Sequence, residues 1–223
     1  MTAGTPPRVV VVLAKEPVAG KVKTRLIGQL TPAEAAALAQ AALTDTLEAV
    51  DGLPGVRPVL ALDGRAGAWV PPRFTVVPQV TGGLDRRIAA AFDTVLGPEG
   101  FPGPALLVGM DTPQLAPLLA AVDFTGYDAV LGLADDGGYW AVGLRHPDPA
   151  LFHGVPMSEP VTGQAQLERL RSAGLRVRIL PPLRDVDTVA DAAAVASAAP
   201  GTSFARTWSR LSHRVRTTPG SPA

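Results

Sequence analysis

The segment Arg8-Val-Val-Val-Val-Leu-Ala14 admits few folds. Four consecutive valines carry no polar/apolar alternation, so neither face of an extended chain can meet water. Such a run is the mark of a strand buried on both faces, which belongs to a parallel sheet covered by helices. The rest of the chain continues the theme. Strands are expected over Pro58–Leu62, Phe74–Val77, Ala105–Met110, Asp128–Leu133, Tyr139–Leu144 and Arg176–Leu180. Between them lie helical stretches: about Pro32 to Val50, opened by Thr31-Pro-Ala-Glu34; Leu84–Leu96; a short one after Thr112-Pro113, capped by Thr112; Val161–Ser172; and Thr188–Ala198. On Leu84–Leu96, residues Leu84, Ile88, Ala91, Phe92 and Val95 share one face. Strands alternating with helices predict an α/β three-layer sandwich with a mostly parallel sheet. The Tyr139 strand follows its predecessor across the tight Asp135-Asp-Gly-Gly138 turn, so it is expected to run antiparallel.

With 223 residues, the chain is expected to form one domain over 1–199, followed by a separable basic extension over 200–223. A core of this size needs no disulfide or structural metal. The absence of cysteine excludes thiol catalysis, zinc ribbons and iron–sulfur clusters. Formal net charge is zero, with 18% charged and 47% apolar residues. That balance is globular and gives no reason to expect nucleic acid as a partner. No apolar stretch reaches the length of a membrane span, and residues 1–7 lack the features of a secretory leader, so the expected location is cytoplasmic.

Lysine is distributed unevenly. Seventeen of the 20 basic residues are arginine, and the three lysines, Lys15, Lys21 and Lys23, fall within nine residues of one another. They belong to the loop that follows the first strand, Lys15-x-Pro17-x-x-Gly20-Lys21-x-Lys23-Thr24-Arg25-Leu26. Ligands of open α/β sheets bind beyond the carboxyl ends of the strands, where this loop lies. Glycine permits close backbone approach, the lysines offer point charges and Arg25 a planar fork, which together suit a polyphosphate. Gly20-Lys21 is followed by valine, so the loop is not a Walker A motif.

Two acidic clusters occupy comparable places. Asp111, in Gly109-Met-Asp111-Thr-Pro113, ends a central strand and is an expected ligand of Mg2+ or Mn2+. Asp185 and Asp187 lie on one side of an extended segment after the last strand. One of the two would complete a magnesium shell with Asp111; the other reading of Asp187 and Thr188 is helix capping. Asp135-Asp136-Gly137-Gly138 reads as a hairpin turn, and Asp136 is the acid best placed to meet a substrate hydroxyl. Alternation puts either Tyr139 or Trp140 in the core and leaves the other free to stack on a ring. His146 and His153 read as surface residues. No Gly-x-Ser-x-Gly elbow supports serine hydrolysis.

The strings LAKEPVAGKVKTRL, GMDTPQL, DDGGYWAVGL and LRDVDTVAD resemble, in order and spacing over about residues 8–198, the bacterial rSAM/selenodomain-associated transferase family. That family is also known as domain of unknown function 2064 and described as cofC-like or glycosyltransferase-like. The resemblance implies the GT-A fold of nucleotide-diphospho-sugar transferases. It implies a nucleotide and phosphate site built from Lys15, Pro17, Gly20, Lys21, Lys23, Thr24, Arg25, Leu84 and Arg87, and a divalent metal on Asp111 with Asp185 or Asp187. In this reading Lys23 and Arg25 hold the diphosphate, and Asp136 orients or deprotonates the acceptor. The implied partners are a nucleotide sugar or nucleoside triphosphate and a small-molecule acceptor. Three activities fit: glycosyl transfer from a nucleotide sugar, nucleotidyl transfer with release of pyrophosphate, and nucleotide binding without catalysis. The chain departs from the family at Asp85, where glycine is usual, and at Met157-Ser158-Glu159, where Trp-Ser-Thr is usual; both are acceptor-side positions.

The extension has a pattern of its own. Phe204, Trp208, Leu211 and Val215 form one helical face amid Arg206, Arg210, Arg214 and Arg216. Packing on its own domain or on a second subunit, as in a homodimer, suits it better than an anionic membrane surface.

Overall fold

The computed structural model describes residues 4–215. Its strands are β1 (Val9–Lys15), β2 (Arg57–Asp63), β3 (Thr75–Pro78), β4 (Ala105–Val108), β5 (Ala129–Ala134), β6 (Tyr139–Leu144) and β7 (Val177–Leu183). Its helices are α1 (Pro32–Asp51), α2 (Leu84–Leu96), α3 (Ala116–Leu119), α4 (Thr162–Ser172), α5 (Val189–Ala198) and α6 (Ser203–Val215). The strands form one sheet in the order β3-β2-β1-β4-β6-β5-β7. All neighbours are parallel except at β6, which runs antiparallel to both β4 and β5. The expected sandwich and its reversed strand are both present.

The valines of β1 explain why the sheet is central. Val10 and Val12 pack with Leu43, Leu47 and Leu60 on the α1 side. Val9 and Val11 pack with Ile88, Phe92 and Leu107 on the α2 side. Successive side chains of a strand point to opposite faces, so an unbroken apolar run is satisfied only when both faces are covered. α1 begins with the expected capping box: Thr31 Oγ1 accepts from Glu34 N at 3.2 Å, and Glu34 Oε2 accepts from Thr31 N at 2.9 Å. The Thr188–Asp191 pair repeats the device at α5. α3 differs from expectation. It starts only at Ala116 with no side-chain cap, and the buried Thr112 hydroxyl has no hydrogen-bond partner among the described residues.

β7 runs past Leu180 through Pro181 and Pro182. Proline has no N–H to give; β7, an edge strand, can spare its outward N–H groups, and the register shift between Gly132 and Ala134, which sets two β7 residues against one of β5, accommodates the second proline. Asp135 N donates to Leu183 O at 3.0 Å and Trp140 Nε1 to Pro181 O at 3.1 Å. The prolonged strand carries Asp185 and Asp187 to the same end of the sheet as Lys15 and Asp111.

α6 packs against α1 and α5. Phe204 and Trp208 join Leu26, Leu38, Val186 and Val195 in a third apolar cluster. Asp45 of α1 accepts from the backbone N–H groups of Ser203 and Phe204, each at 2.7 Å, and so satisfies two donors at the start of α6. The packing is continuous across 199/200, where an extension was expected to begin. Arg216 lies outside the described residues. No helix among them is long and apolar enough to cross a membrane.

Candidate active site

A cleft of about 450 Å³ opens at the carboxyl ends of β1 and β4. Lys15, Lys21, Lys23, Thr24, Arg25, Leu84, Arg87, Asp111, Asp136, Asp185 and Asp187 all line it. Pro17 and Gly20 do not. Gly20, with φ +80°, supplies a left-handed residue that turns the loop, and an added Cβ there would meet nothing within 4 Å. It therefore shapes the loop from outside the cleft lining.

The loop does not lie along one wall; it crosses the cleft. Lys23 has φ 48° and ψ 40°, a left-handed conformation costly for a residue with a Cβ. That backbone sends its side chain inward until only 6% is exposed. Its ammonium lies 2.9 Å from Asp111 Oδ1 and donates to the Val186 carbonyl. Arg25, 69% exposed, pairs with Asp187. Both cations expected to hold a diphosphate are thus engaged by carboxylates. The exposed Lys15 and Lys21 side chains have no partner among the described residues and face the cleft.

Asp185 has the opposite situation. Burial, then the nearby carboxylates of Asp111, Asp136 and Asp187, push its carboxyl up to about 7, with Lys23 opposing. Among the described residues no three His, Asp or Glu side chains are grouped tightly enough to hold one ion. The carboxylates repel one another across the cleft without converging. Magnesium asks for less, one or two carboxylates with phosphate and water completing the shell. The all-oxygen donor set and the like charges crowding Asp185 fit such an ion on Asp111 and Asp185.

The β2 side of the cleft is fastened by a residue without any sequence signature. Gln79, beyond β3, donates from Nε2 to the carbonyls of Ala14 and Ala61, both at 2.8 Å. Its Oε1 accepts from Arg87 Nη1 at 3.3 Å, and Arg87 also reaches Asp63 Oδ2 at 2.8 Å. A single glutamine after a short strand gives no pattern to detect. Leu84, expected on the packed face of α2, is instead 38% exposed and lines the cleft. Asp85 turns away, accepting from Gly154 N at 3.2 Å. That bond and one from Arg86 hold its carboxyl below the usual range.

The opposite wall is the β5–β6 turn. Asp136 Oδ1 accepts from Gly138 N at 2.8 Å. Gly137 has φ +90°, and a Cβ there would lie 2.0 Å from the Pro160 carbonyl oxygen. Only glycine lets this turn close onto the segment before α4, where Gly163 N donates to Gly137 O at 2.7 Å. Trp140 is the core member of the aromatic pair. Tyr139 lines the cleft, its hydroxyl donating to Met157 Sδ at 3.9 Å. Met157, Ser158, Glu159 and Thr162 complete the wall. Ser158 has φ 61°, and Thr162 Oγ1 accepts from Glu159 N at 3.0 Å. For this last segment the only sequence signal was the expected departure at Met157-Ser158-Glu159; Thr162 had none. His146 and His153 are exposed and lie outside the cleft.

The sheet order, its one reversed strand and the cleft at the strand ends define a nucleotide-diphospho-sugar transferase fold. A candidate nucleotide-diphospho-sugar transferase from Desulfovibrio desulfuricans G20 superposes with a TM-score of 0.82 at 27% identity, over 96% of this chain and 98% of that one. The inositol-1-phosphate CTP transferase from T. maritima has a TM-score of 0.52 at 12% identity, over 98% of this chain and 100% of that one, a likeness of fold. Residues 29–159, more than half of the chain, match the family described as "Uncharacterized protein conserved in bacteria (DUF2064)", and the chain belongs to that family. The match begins past the lysine loop and ends before Asp185, and it carries no rSAM/selenodomain association. No curated protein matches the chain.

Proposed function

We propose that this protein is a nucleotide-binding transferase that moves a glycosyl group from a nucleotide sugar to a small acceptor with the help of Mg2+ or Mn2+. The observation that carries this reading is the pairing, in one cleft, of two lysines without partners among the described residues with carboxylates that crowd a half-buried Asp185. A nucleoside diphosphate with a divalent ion complements both halves. The likeness to the Desulfovibrio protein over nearly the whole chain supports it.

Lys15 and Lys21 would bind the diphosphate oxygens, with Arg87 and Leu84 beside them. Asp111 and Asp185 would hold the metal, which when bound supplies positive charge to the departing diphosphate. Asp187, tied to Arg25, closes the loop over the site. In the transfer, the acceptor oxygen bonds to the anomeric carbon as that carbon's bond to phosphate oxygen breaks. The nucleoside diphosphate leaves with the electron pair. Asp136 accepts the proton lost by the acceptor hydroxyl.

A thermal-shift panel tests the reading with nucleoside diphosphates, triphosphates and nucleotide sugars, each with and without Mg2+ or Mn2+. A ligand at 100 times its Kd stabilises by about 2.7 kcal/mol. Metal-dependent stabilisation by a nucleotide sugar, with nucleoside diphosphate as the product, is expected. Preference for a triphosphate with release of pyrophosphate would replace this reading with nucleotidyl transfer. Absence of any shift would remove it.

A further inference from the structure

The charges lining the cleft are sorted by chain half. Every lysine and arginine, namely Lys15, Lys21, Lys23, Arg25 and Arg87, comes from the segment up to Arg87. Every carboxylate comes from Asp111 onward. Asp111 and Asp187 have cationic partners in Lys23 and Arg25, and Asp185 has Lys23 nearby. The two that remain, Asp136 and Glu159, have none among the described residues. Asp136 accepts only the N–H of Gly138, and the Glu159 carboxylate has no partner among the described residues.

These two acids belong to one wall. Gly137, next to Asp136, is in van der Waals contact with Pro160, next to Glu159. The bond from Gly163 N to Gly137 O holds the turn against the start of α4, and Thr162 holds the Glu159 backbone. Tyr139 and Met157 give the same wall an apolar surface. It offers hydrogen-bond acceptors and a hydrophobic plane, with no basic side chain among the lining residues from Gly109 onward.

We propose that this wall is the acceptor subsite and that it selects an uncharged, polyhydroxylated acceptor while rejecting phosphorylated or carboxylated ones. The proposal rests on the glycosyl-transfer reading above and adds the acceptor's class. Carboxylates accept hydrogen bonds from hydroxyl groups, and the C–H face of a sugar or polyol packs on an aromatic ring and a thioether. An anionic group there would sit beside two like charges with no basic side chain on the wall itself to offset them, which is negative selection by repulsion. Glu159, the wall's second carboxylate without a cationic partner among the described residues, is the specificity-determining residue.

The test uses matched acceptor pairs: glycerol with glycerol 3-phosphate, glucose with glucose 6-phosphate, and inositol with inositol 1-phosphate. Each is supplied with the stabilising nucleotide sugar and metal, and nucleoside diphosphate release is measured. The neutral member is expected to be used at least about tenfold better, a factor of ten corresponding to a small free-energy difference. Glu159→Lys should shift the ratio at least about tenfold toward the phosphorylated member, while Glu159→Gln should shift it less. The nucleotide thermal shift reports that each variant is folded. Equal use or preference for the phosphorylated member by the unmodified protein would overturn the proposal, as would an unchanged ratio in folded Glu159→Lys. Loss of nucleotide-sugar stabilisation in the unmodified protein would instead remove the underlying reading.

Discussion

The Lys23 ammonium lies 2.9 Å from Asp111 Oδ1, so a cation of the loop after β1 is the counter-ion of a carboxylate three residues beyond β4. The pair bridges the two halves of the cleft. With Lys23 also bonded to the Val186 carbonyl, one side chain ties together the loop after β1, the end of β4 and the segment after β7. Breaking it by Lys23→Met leaves a partly buried carboxylate without its partner. The complete burial that would make this cost about 3–5 kcal/mol is lacking, because Asp111 is 39% exposed, and about 2 kcal/mol is expected. Chemical denaturation of the variant measures it.

Lysine accessibility provides a second check. Reductive methylation followed by mass spectrometry should modify Lys15 and Lys21 readily and Lys23 slowly, since only 6% of the Lys23 side chain is exposed. A bound nucleoside diphosphate with Mg2+ should protect Lys15 and Lys21. Modification of Lys15 and Lys21 that ignores the nucleotide would contradict their place at the diphosphate.

Removing the Asp111 charge should cost rate. Asp111→Asn keeps the shape of the side chain and is expected to lower turnover by at least about 10²-fold if stabilisation of the leaving group is the main effect. Turnover equal to that of the unmodified protein would exclude Asp111 from the chemistry.

Asp185 makes stability depend on pH in a direction opposite to that of most carboxylates. Its carboxyl titrates at about 7 when folded, against an ordinary value of 3.8. Between those values the folded state binds more protons than the unfolded one, so stability falls as pH rises from about 4 to about 7, then levels off. Asp185→Asn should therefore be more stable than the unmodified protein at pH 8, on the order of 2 kcal/mol after allowance for water in the open cleft. The difference should vanish near pH 4. Mg2+ should raise the unmodified protein's Tm more at pH 8 than at pH 5.5, because it relieves the same repulsion. Thermal scans across pH with and without Mg2+ read both effects.

Gly137→Ala should damage the site through the backbone. A Cβ there would be 2.0 Å from the Pro160 oxygen, and φ +90° disfavours any side chain. A cost of about 2 kcal/mol or more is expected, with Asp136 displaced and turnover reduced beyond what Asp136→Asn alone causes. Comparing the two variants in Tm and rate separates the effects.

Much of this architecture is legible because it is local. The valine run of β1, the capping boxes at Thr31 and Thr188, and the Gly-Gly hairpin each act within a few residues. Their chemistry can therefore be read in order along the chain. The amphipathic pattern of α6 is equally plain. Its docking site is not, because the Asp45 carboxylate that receives its first N–H groups lies far away in α1. β7 is longer than its sequence suggests, because proline stops a strand unless the strand lies at a sheet edge, and edge position is a property of the assembled sheet.

The sequence by itself determined that the lysine loop and the acids Asp111, Asp185 and Asp187 follow strands, since strand positions and the loops after them are read from hydrophobic period and turn chemistry. Only the tertiary structure decided how their charges pair. Lys23 and Arg25 look like phosphate ligands among basic neighbours, yet folding brings Asp111 and Asp187 to them. A buried ammonium takes the nearest carboxylate at hand, because an unpaired charge away from water is costly. The partner that satisfies it is set by three-dimensional proximity, which no spacing along the chain records.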